Sequence, residues 1–412
     1  MKRRVMKPEV LAPAGDMECL IAAVTYGADA VYLGSTAFGM RASSAKFDFV
    51  TLKEACEYAH ARGVKVYLTC NTVPHNHEMD DLPEFLRQAA ACGVDAFIVS
   101  DMGVFMTAKE VAPQIDIHIS TQAGVVNYVS AKAWSDLGAS RVVLAREMSI
   151  DEIAELCARV PEKTEVEAFV HGAMCMSISG RCLLSSYMTG RDPNRGACAQ
   201  PCRWNYALVE EKRPGQYFPV GEDENGSYIL NAKDMCLLPY IGQIIDAGVT
   251  SLKIEGRAKS SYYVSVVTNA YRMAVDEYLK DPENFVLPQW LHEEITKVSH
   301  RRYSTGFYFD TPDQYYETGG YIRSYDVMAI IDDWKDGIAY ATQKNKFCVG
   351  DKGEILMPKS KPFAVTIEKI WDHEGEEVPF ACHPQEKISF PCETPLKPGS
   401  IFRMARFGEA TE

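Results

Sequence analysis

Short apolar segments recur along the first two thirds of the chain, and most are followed by a stretch with helical periodicity. Near-continuous Val, Ile and Leu content is typical of strands that are buried on both faces, as in a parallel sheet. We therefore predict eight parallel strands that alternate with helices. The segments are EVLAPAG from Glu9, AVYLGS from Ala30, KVYLTCN from Lys65, AFIVSD from Ala96, DIHISTQ from Asp116, RVVLARE from Arg141, VEAFVHG from Val166 and SLKIEGR from Ser251.

Four of these segments share a lead-in, because Gly27, Gly93, Gly138 and Gly248 stand just before strands two, four, six and eight. A glycine there suits the left-handed residue that ends a helix. Eight such units predict an α/β protein with a (β/α)₈ TIM-type barrel. An open doubly wound sheet is the alternative, and it is less favoured because no G-x-G-x-x-G follows the first strand.

The alternation of helix and strand stops after the segment HRRYSTGFYFD, which begins at His300. From Tyr321 onward the pattern changes to short β segments separated by the turn signals KDG, VGDKG and KPGS. Five or six strands in about 90 residues predict a small C-terminal β domain, a β-barrel by preference and a sandwich as the alternative. We place the (β/α)₈ barrel in residues 1–310 and the C-terminal domain in residues 321–412.

In a TIM-type barrel the functional side chains gather at the carboxyl ends of the strands. Three Arg or Lys side chains at the mouth of the barrel predict an anionic ligand, although each alone would read as a solvated loop residue. We expect Arg146 and Arg257 to clamp a carboxylate and His171 to transfer a proton, the alternative being a histidine hydrogen-bonded to backbone. The predicted catalytic residues are Arg146, Glu147, His171, Lys253, Glu255 and Arg257.

Strands seven and eight are separated by an insertion at about 173–245, far longer than a usual crossover, and it opens with four cysteines. Their spacing is C-x₆-C-x₁₅-C-x₃-C, in a stretch rich in Gly, Ser, Arg, Asn and Pro that suits irregular backbone. Thiolates bind zinc and iron–sulfur clusters. The absence of C-x₂-C knuckles favours a cluster over zinc, and unligated thiols are the third interpretation. The candidate ligands are Cys175, Cys182, Cys198 and Cys202, with Cys236 in reserve.

Charge and hydropathy add two expectations. No apolar run reaches the roughly 18–20 residues that span a bilayer, so we expect a cytoplasmic chain whose 13 cysteines do not form a disulfide framework. The formal net charge of −13 disfavours indiscriminate nucleic-acid binding. RNA could still bind through a local basic surface, with a protein partner or to a homo-oligomer. That surface would consist of Arg181, Arg191, Arg195, Arg203 and Lys259.

Three stretches, namely LAPAGDMECLIAAVTYGADAVYLG, EAFVHGAMCMSISGRCLLSSYMTGRDPNRGACAQPCRW and SLKIEGRAKSSYYV, resemble peptidase family U32. The resemblance covers essentially the whole chain and is strongest to the branch whose members hydroxylate tRNA. It implies a prephenate-dependent enzyme that makes 5-hydroxyuridine at the wobble position of tRNA. It also implies a 4Fe–4S cluster on Cys175, Cys182, Cys198 and a fourth cysteine, for which we choose Cys202 over Cys236.

Two other functions stay open at the level of sequence. The family name implies a collagenase-like peptidase, but the chain has neither H-E-x-x-H nor G-x-S-x-G. The second open function is that of a non-catalytic protein with structural zinc. We expect the C-terminal domain to bind the tRNA anticodon loop. The alternative is a domain that packs on the barrel or dimerises. The aromatic residues expected to contact RNA, around Arg323, are Tyr315, Tyr316, Tyr321 and Tyr325.

Overall fold

The computed structural model describes residues 7–39, 46–175, 177, 182–204, 207–208, 218–219, 233–310 and 321–406. The strands before residue 311 are β1 (Glu9–Ala14), β2 (Ala30–Gly34), β3 (Lys65–Cys70), β4 (Ala96–Val99), β5 (Asp116–Ile119), β6 (Arg141–Val143), β7 (Glu165–Ala173), β8 (Ala207–Leu208), β9 (Phe218–Pro219), β10 (Asp234–Cys236), β11 (Ser251–Ile254) and β12 (Tyr303–Ser304).

Eight of these strands form a closed parallel barrel. Strands β1 to β7 pair in chain order, and β11 pairs in parallel with both β7 and β1, which closes the ring. All eight predicted strands are therefore present, and the TIM-type fold is confirmed. Strand β10 adds antiparallel to the end of β7, and β12 pairs with β10.

Helices alternate with the barrel strands and cover the outside of the barrel. The predicted glycines end helices as expected, with φ of 98° at Gly27, 94° at Gly93, 108° at Gly138 and 96° at Gly248. The helices are α1 (Met17–Thr25), α2 (Phe49–His60), α3 (Asn76–Met79), α4 (Leu82–Ala91), α5 (Met102–Val111), α6 (Tyr128–Leu137), α7 (Ile150–Arg159), α8 (Leu184–Thr189), α9 (Ile241–Asp246), α10 (Ser261–Lys280) and α11 (Gln289–Glu294).

The C-terminal residues form an antiparallel half-barrel of six strands in the order β17-β16-β20-β13-β14-β19, beside a small β15–β18 ribbon. Its core is a separate apolar cluster that includes Phe347, Phe390 and Phe402. The strands are β13 (Tyr325–Lys335), β14 (Ile338–Gln343), β15 (Phe347–Cys348), β16 (Lys352–Leu356), β17 (Phe363–Thr366), β18 (Phe380–Ala381), β19 (Lys387–Pro391) and β20 (Ile401–Ala405).

The half-barrel packs against the outside of the TIM-type barrel. The guanidinium of Arg403, which is fully buried, contacts both carboxylate oxygens of Glu294 at 2.7 Å. The buried hydroxyl of Tyr26 donates to the carbonyl oxygens of Leu356 and Gly399. Packing on the barrel, one of the two alternatives for this domain, is therefore observed. Within the described ranges, no helix combines the length and the apolar character needed to cross a bilayer.

Candidate active site

A cavity of about 160 Å³ opens at the carboxyl ends of the barrel strands, and we call it the barrel-mouth cavity. A space of about 150 Å³ accommodates a benzene-sized ring, so this cavity has room for one six-membered ring. Five of the six predicted catalytic residues line it, which brings charges from β6 and β11 to one place. They are Arg146, Glu147, Lys253, Glu255 and Arg257.

Arg146 is fixed by three contacts that leave it at the cavity wall. Its Nη1 donates to the carbonyl oxygen of Ala173 at 2.8 Å, and its Nη2 lies 3.6 Å from Oε2 of Glu255. Its guanidinium carbon lies 3.9 Å from the ring centroid of Phe169, a cation–π distance. These contacts hold the planar fork in one orientation, as bidentate recognition of a carboxylate requires.

Arg257 follows β11, which lies two strands from β6 in the barrel, and its position depends on a glycine. Its Nη1 donates to the hydroxyl of Thr69 at 2.9 Å, which ties it to the end of β3. Gly15, just after β1, packs so closely that a Cβ there would collide with the carbonyl oxygen of Arg257. The loop after β11 can therefore approach β1 only because residue 15 has no side chain.

Lys253 points into the barrel, where its charge is balanced by a residue that the sequence reasoning missed. Its Nζ lies 2.6 Å from Oε1 of Glu167, which is fully buried. The other oxygen of Glu167 accepts from Arg141 at 3.0 Å, and Arg141 also contacts Glu9. An acidic residue inside the apolar segment VEAFVHG was the signal that could have identified it.

Burial and ion pairing together set the pKa values of Glu167 and Lys253. Burial alone would raise the pKa of Glu167, but Lys253 and Arg141 outweigh it and the pKa is lowered. Burial lowers the pKa of Lys253, and the contact with Glu167 opposes that shift. The lowered pKa keeps Glu167 ionised, with its carboxylate 2.6 Å from the Nζ of Lys253 beneath the barrel-mouth cavity.

His171 is not placed in this cavity. Its ring is fully buried, with the hydroxyl of Tyr271 in α10 at 3.4 Å from Nδ1 and that of Tyr303 in β12 at 3.5 Å from Nε2. Burial, together with His300 and Lys259, lowers the pKa of His171 to about 3. The ring is therefore neutral at physiological pH, and the contacts of its nitrogens are tyrosine hydroxyls rather than the backbone hydrogen bond weighed as the alternative.

A bulge explains why His171 leaves the cavity. Strand alternation would place Glu167, Phe169 and His171 on one face of β7. The pairing with β11 shifts between Lys253 and Ile254, so that two steps along β7 match one step along β11. Such a bulge reverses which face the following residues occupy.

The four predicted cysteine ligands line the same barrel-mouth cavity as the charged residues. Cys175 follows β7, Cys182 precedes α8, and Cys198 and Cys202 follow later in the insertion. Cys236 does not line the cavity. It is buried in β10, and burial raises its pKa to about 12, so it stays a protonated thiol. The structure therefore brings Cys202, and not Cys236, to the other three.

Bond geometry distinguishes a zinc ion from a 4Fe–4S cluster as the group that these cysteines would hold. A zinc ion with thiolate bonds of about 2.3 Å gathers its sulfurs to within about 4 Å of one another. In the described part of the chain, no three His, Cys, Asp or Glu side chains gather to hold a single metal ion. A 4Fe–4S cube spreads its thiolates to about 7 Å. Cys175, Cys182, Cys198 and Cys202 are the cavity-lining thiols that would hold such a cluster.

The predicted basic surface is met only in part. Arg195 pairs with Glu78 at 2.6 Å, so its charge is committed to holding the insertion against α3. Arg191 is exposed. Lys259 lines a second cavity of the structure. Arg181, Tyr315, Tyr316 and the side chain of Arg203 lie outside the described residues.

Sequence comparison with known proteins identifies the family of this chain. The model of peptidase family U32 matches residues 15–318, and that of the U32 C-terminal domain matches residues 323–403. The chain belongs to peptidase family U32. Together the two family models cover the barrel after β1, the cysteine insertion and the half-barrel as far as residue 403.

Three relatives within this family carry different names. The chain is 39% identical to tRNA hydroxylation protein P1 of Bacillus subtilis, over 97% of this chain and 95% of that protein. It is 31% identical to a collagenase of Porphyromonas gingivalis, over 98% and 99% respectively. It is 36% identical to the 23S rRNA 5-hydroxycytidine C2501 synthase of Escherichia coli, over 66% of this chain and 40% of that protein.

Proposed function

We propose that this U32 protein is a tRNA-modifying enzyme, which hydroxylates the wobble uridine to 5-hydroxyuridine with prephenate as co-substrate and a 4Fe–4S cluster as cofactor. The observation that carries the proposal is the meeting of cationic side chains and four cysteines around one ring-sized cavity. Two relatives, named for hydroxylation of tRNA and of rRNA, support RNA hydroxylation as the shared chemistry.

The cations of the cavity suit a small dicarboxylate such as prephenate. Arg146 and Arg257 offer planar forks held by contacts at 2.8 Å and 2.9 Å, and Lys253, paired with Glu167, lines the same cavity. Rigid guanidinium forks recognise carboxylates through paired hydrogen bonds. Tyr32 and Phe169 add aromatic surface for the ring of the acid. In this proposal the two arginines bind and orient the co-substrate.

The cysteines would hold the cluster on the side of the cavity that the insertion covers. A cluster held there would supply one-electron transfer beside the bound co-substrate. Glu147 and Glu255, both on the cavity wall, are the described groups able to accept a proton there. Among the described residues, no histidine lines the cavity.

The collagenase relative keeps peptide hydrolysis as the second function to be tested. Nucleophilic hydrolysis by Ser or Cys requires a base beside the nucleophile. Within the described part of the barrel mouth, serines and cysteines are present but no imidazole stands beside them. Hydrolysis through a serine–histidine or cysteine–histidine pair is therefore the less supported function of this site.

The test uses anaerobically purified full-length protein with iron–sulfur content confirmed, tRNA lacking the modification, and prephenate. The expected result is formation of 5-hydroxyuridine that depends on prephenate, detected by nucleoside mass spectrometry. Gelatin cleavage is measured in parallel. Cleavage of gelatin without any change in tRNA would replace the proposal by the peptidase function.

A further inference from the structure

The insertion carries an exposed apolar face on α8, and we call it the α8 outer face. It consists of Leu183 and Met188, which are exposed, and of Tyr187, which is 82% exposed. On another side of the same helix, Leu184 and Ser185 line the barrel-mouth cavity. A helix with its side chains is about 10–12 Å across, so the α8 outer face stands about one helix width from the cavity.

Hydrogen bonds fix α8 to the loops that carry the cysteines. The side-chain oxygen of Asn194 accepts from the backbone N–H of Cys182 at 3.2 Å, and its Nδ2 donates to the carbonyl oxygen of Cys182 at 2.8 Å. The backbone N–H of Ala199 donates to the hydroxyl of Ser185, which is fully buried, at 3.0 Å. The α8 outer face is therefore held at a set position relative to the cysteine site.

The sequence around this face is positively charged although the whole chain is acidic. Residues 173–204 contain four arginines and one carboxylate, Asp192, which gives a net charge of +3 in a chain of net charge −13. Glu78 offsets one of the four, Arg195, and Arg191, just after α8, is exposed. Such a surface favours a polyanion. Contact between two copies of the chain through this face would bring like charges together, which is unfavourable.

The exposed ring of Tyr187 is a stacking surface for an unpaired base. Bases of single-stranded RNA stack on aromatic side chains largely irrespective of sequence, because every base has a π face. Trp204, in the same insertion, is also exposed and supplies a second ring. Apolar side chains alone would suit a protein partner equally well, and it is the exposed rings together with the positive charge that favour RNA.

We infer that the α8 outer face binds the unpaired bases of an RNA loop, with one base stacked on the ring of Tyr187 and the adjoining phosphates near Arg191. This inference rests on the proposed function and adds the surface that holds the loop while its target base lies at the barrel mouth. At about 3.4 Å per nucleotide, as along one duplex strand, roughly three nucleotides cover one helix width. A single loop can therefore reach both places.

The test is the affinity of anaerobically purified full-length protein for the unmodified anticodon stem-loop of tRNA, measured at several salt concentrations. Loss of one base-stacking contact lowers affinity about fivefold or more. Tyr187→Ala and Tyr187→Leu should both show this loss, because leucine keeps apolar area but lacks the flat ring, whereas Tyr187→Phe should bind as the wild type does. These variants should keep the salt dependence. Arg191→Gln should instead lower the slope of log affinity against log salt by about 1.

The matched control is Tyr58→Leu, in the last turn of α2. Helix ends lie at the opposite face of a TIM-type barrel from its mouth, so this substitution should leave the affinity unchanged. A fully paired RNA duplex is the control ligand, since its bases offer no free face, and Tyr187→Ala should bind it as the wild type does. Thermal unfolding and iron content of every variant separate lost binding from lost structure.

The outcomes separate this inference from the proposed function. If wild-type protein hydroxylates tRNA but Tyr187→Ala binds the stem-loop with wild-type affinity, the inference is wrong and the function stands. If Tyr187→Leu keeps the affinity that Tyr187→Ala loses, the contact is apolar without stacking, as with a protein partner, which also overturns the inference. If stem-loop binding depends on the Tyr187 ring but no tRNA is hydroxylated, the surface stands and the function fails. If the wild-type protein neither binds nor modifies tRNA, both proposals fail.

Discussion

The ammonium of Lys253 lies 2.6 Å from a carboxylate oxygen of Glu167, with both groups buried inside the barrel beneath the cavity. Glu167 shares its other oxygen with Arg141, which makes it the counter-charge for two buried cations. The charge that Lys253 presents to the cavity therefore depends on a residue that does not itself line it.

Replacing Glu167 by Gln should destabilise the protein because it leaves both cations buried without their shared carboxylate. Removing one partner of a buried ion pair costs about 3–5 kcal/mol. Unfolding by urea measures this loss. Glu165→Gln is the control, because Glu165 also pairs with Arg141 but its side chain is 49% exposed, and it should cost less than about 1 kcal/mol. Equal effects of the two substitutions would contradict the assigned role of Glu167.

Replacing Arg257 by Lys should raise the KM for prephenate about tenfold or more, since Lys keeps the charge but lacks the planar fork that pairs with a carboxylate. Steady-state kinetics at saturating tRNA measures the change. Arg159→Lys, an exposed substitution at the end of α7, is the control and should leave KM as it is. An unchanged KM in Arg257→Lys would remove Arg257 from the proposed clamp.

The cysteines allow a direct comparison of two single substitutions. Cys202→Ser should lose iron and the absorption near about 400 nm, because Cys202 lines the cavity with the other three cysteines. Cys236→Ser should keep both, because Cys236 is buried in β10 with its pKa raised to about 12. Iron content and the absorption spectrum of anaerobically purified protein measure the effect. The reverse pattern would make Cys236 the fourth ligand.

His171 should affect stability at acid pH rather than the pH dependence of catalysis. An unfolded histidine titrates near pH 6.5, whereas burial lowers the pKa of His171 to about 3, so the unfolded chain binds more protons between these values. Stability from this group is complete above about pH 6.5 and is lost as the pH falls toward 3. Between pH 7.5 and pH 5.5 the loss should be about 1 kcal/mol.

Urea unfolding of His171→Gln at both pH values tests this, since the variant should lack that part of the pH dependence. His292→Gln, at an exposed position of α11, is the control and should behave as the wild type. A His171→Gln protein with wild-type pH dependence of stability, but with one limb of its pH–rate profile missing, would restore His171 as a proton-transfer group.

The sequence predicted the barrel because buried parallel strands leave a repeated signal. The eight apolar segments and the glycines before β2, β4, β6 and β11 each report local structure that the barrel needs. The half-barrel was also visible, since turn signals mark its strands. Its docking through Arg403 and Glu294 was not visible, because a contact between residues 109 positions apart leaves no local pattern.

The site was predictable where strand ends alone decide position. Arg146, Lys253 and Arg257 meet at one cavity because the barrel brings the ends of β6 and β11 to the same face. His171 was misplaced because a bulge in β7 breaks the two-residue alternation, and bulges depend on pairing with a distant strand. The cavity that Tyr321 and Arg323 line together with the loop after β11 could not be foreseen, since it forms only where two domains meet.

The most direct test of the account is the nucleoside composition of tRNA from a strain in which the gene for this protein is deleted. The account predicts that 5-hydroxyuridine and nucleosides made from it disappear, that the wild-type gene restores them, and that a Cys202→Ser gene does not. If the deletion strain keeps wild-type levels of these nucleosides, with no related enzyme to replace it, the central claim is contradicted.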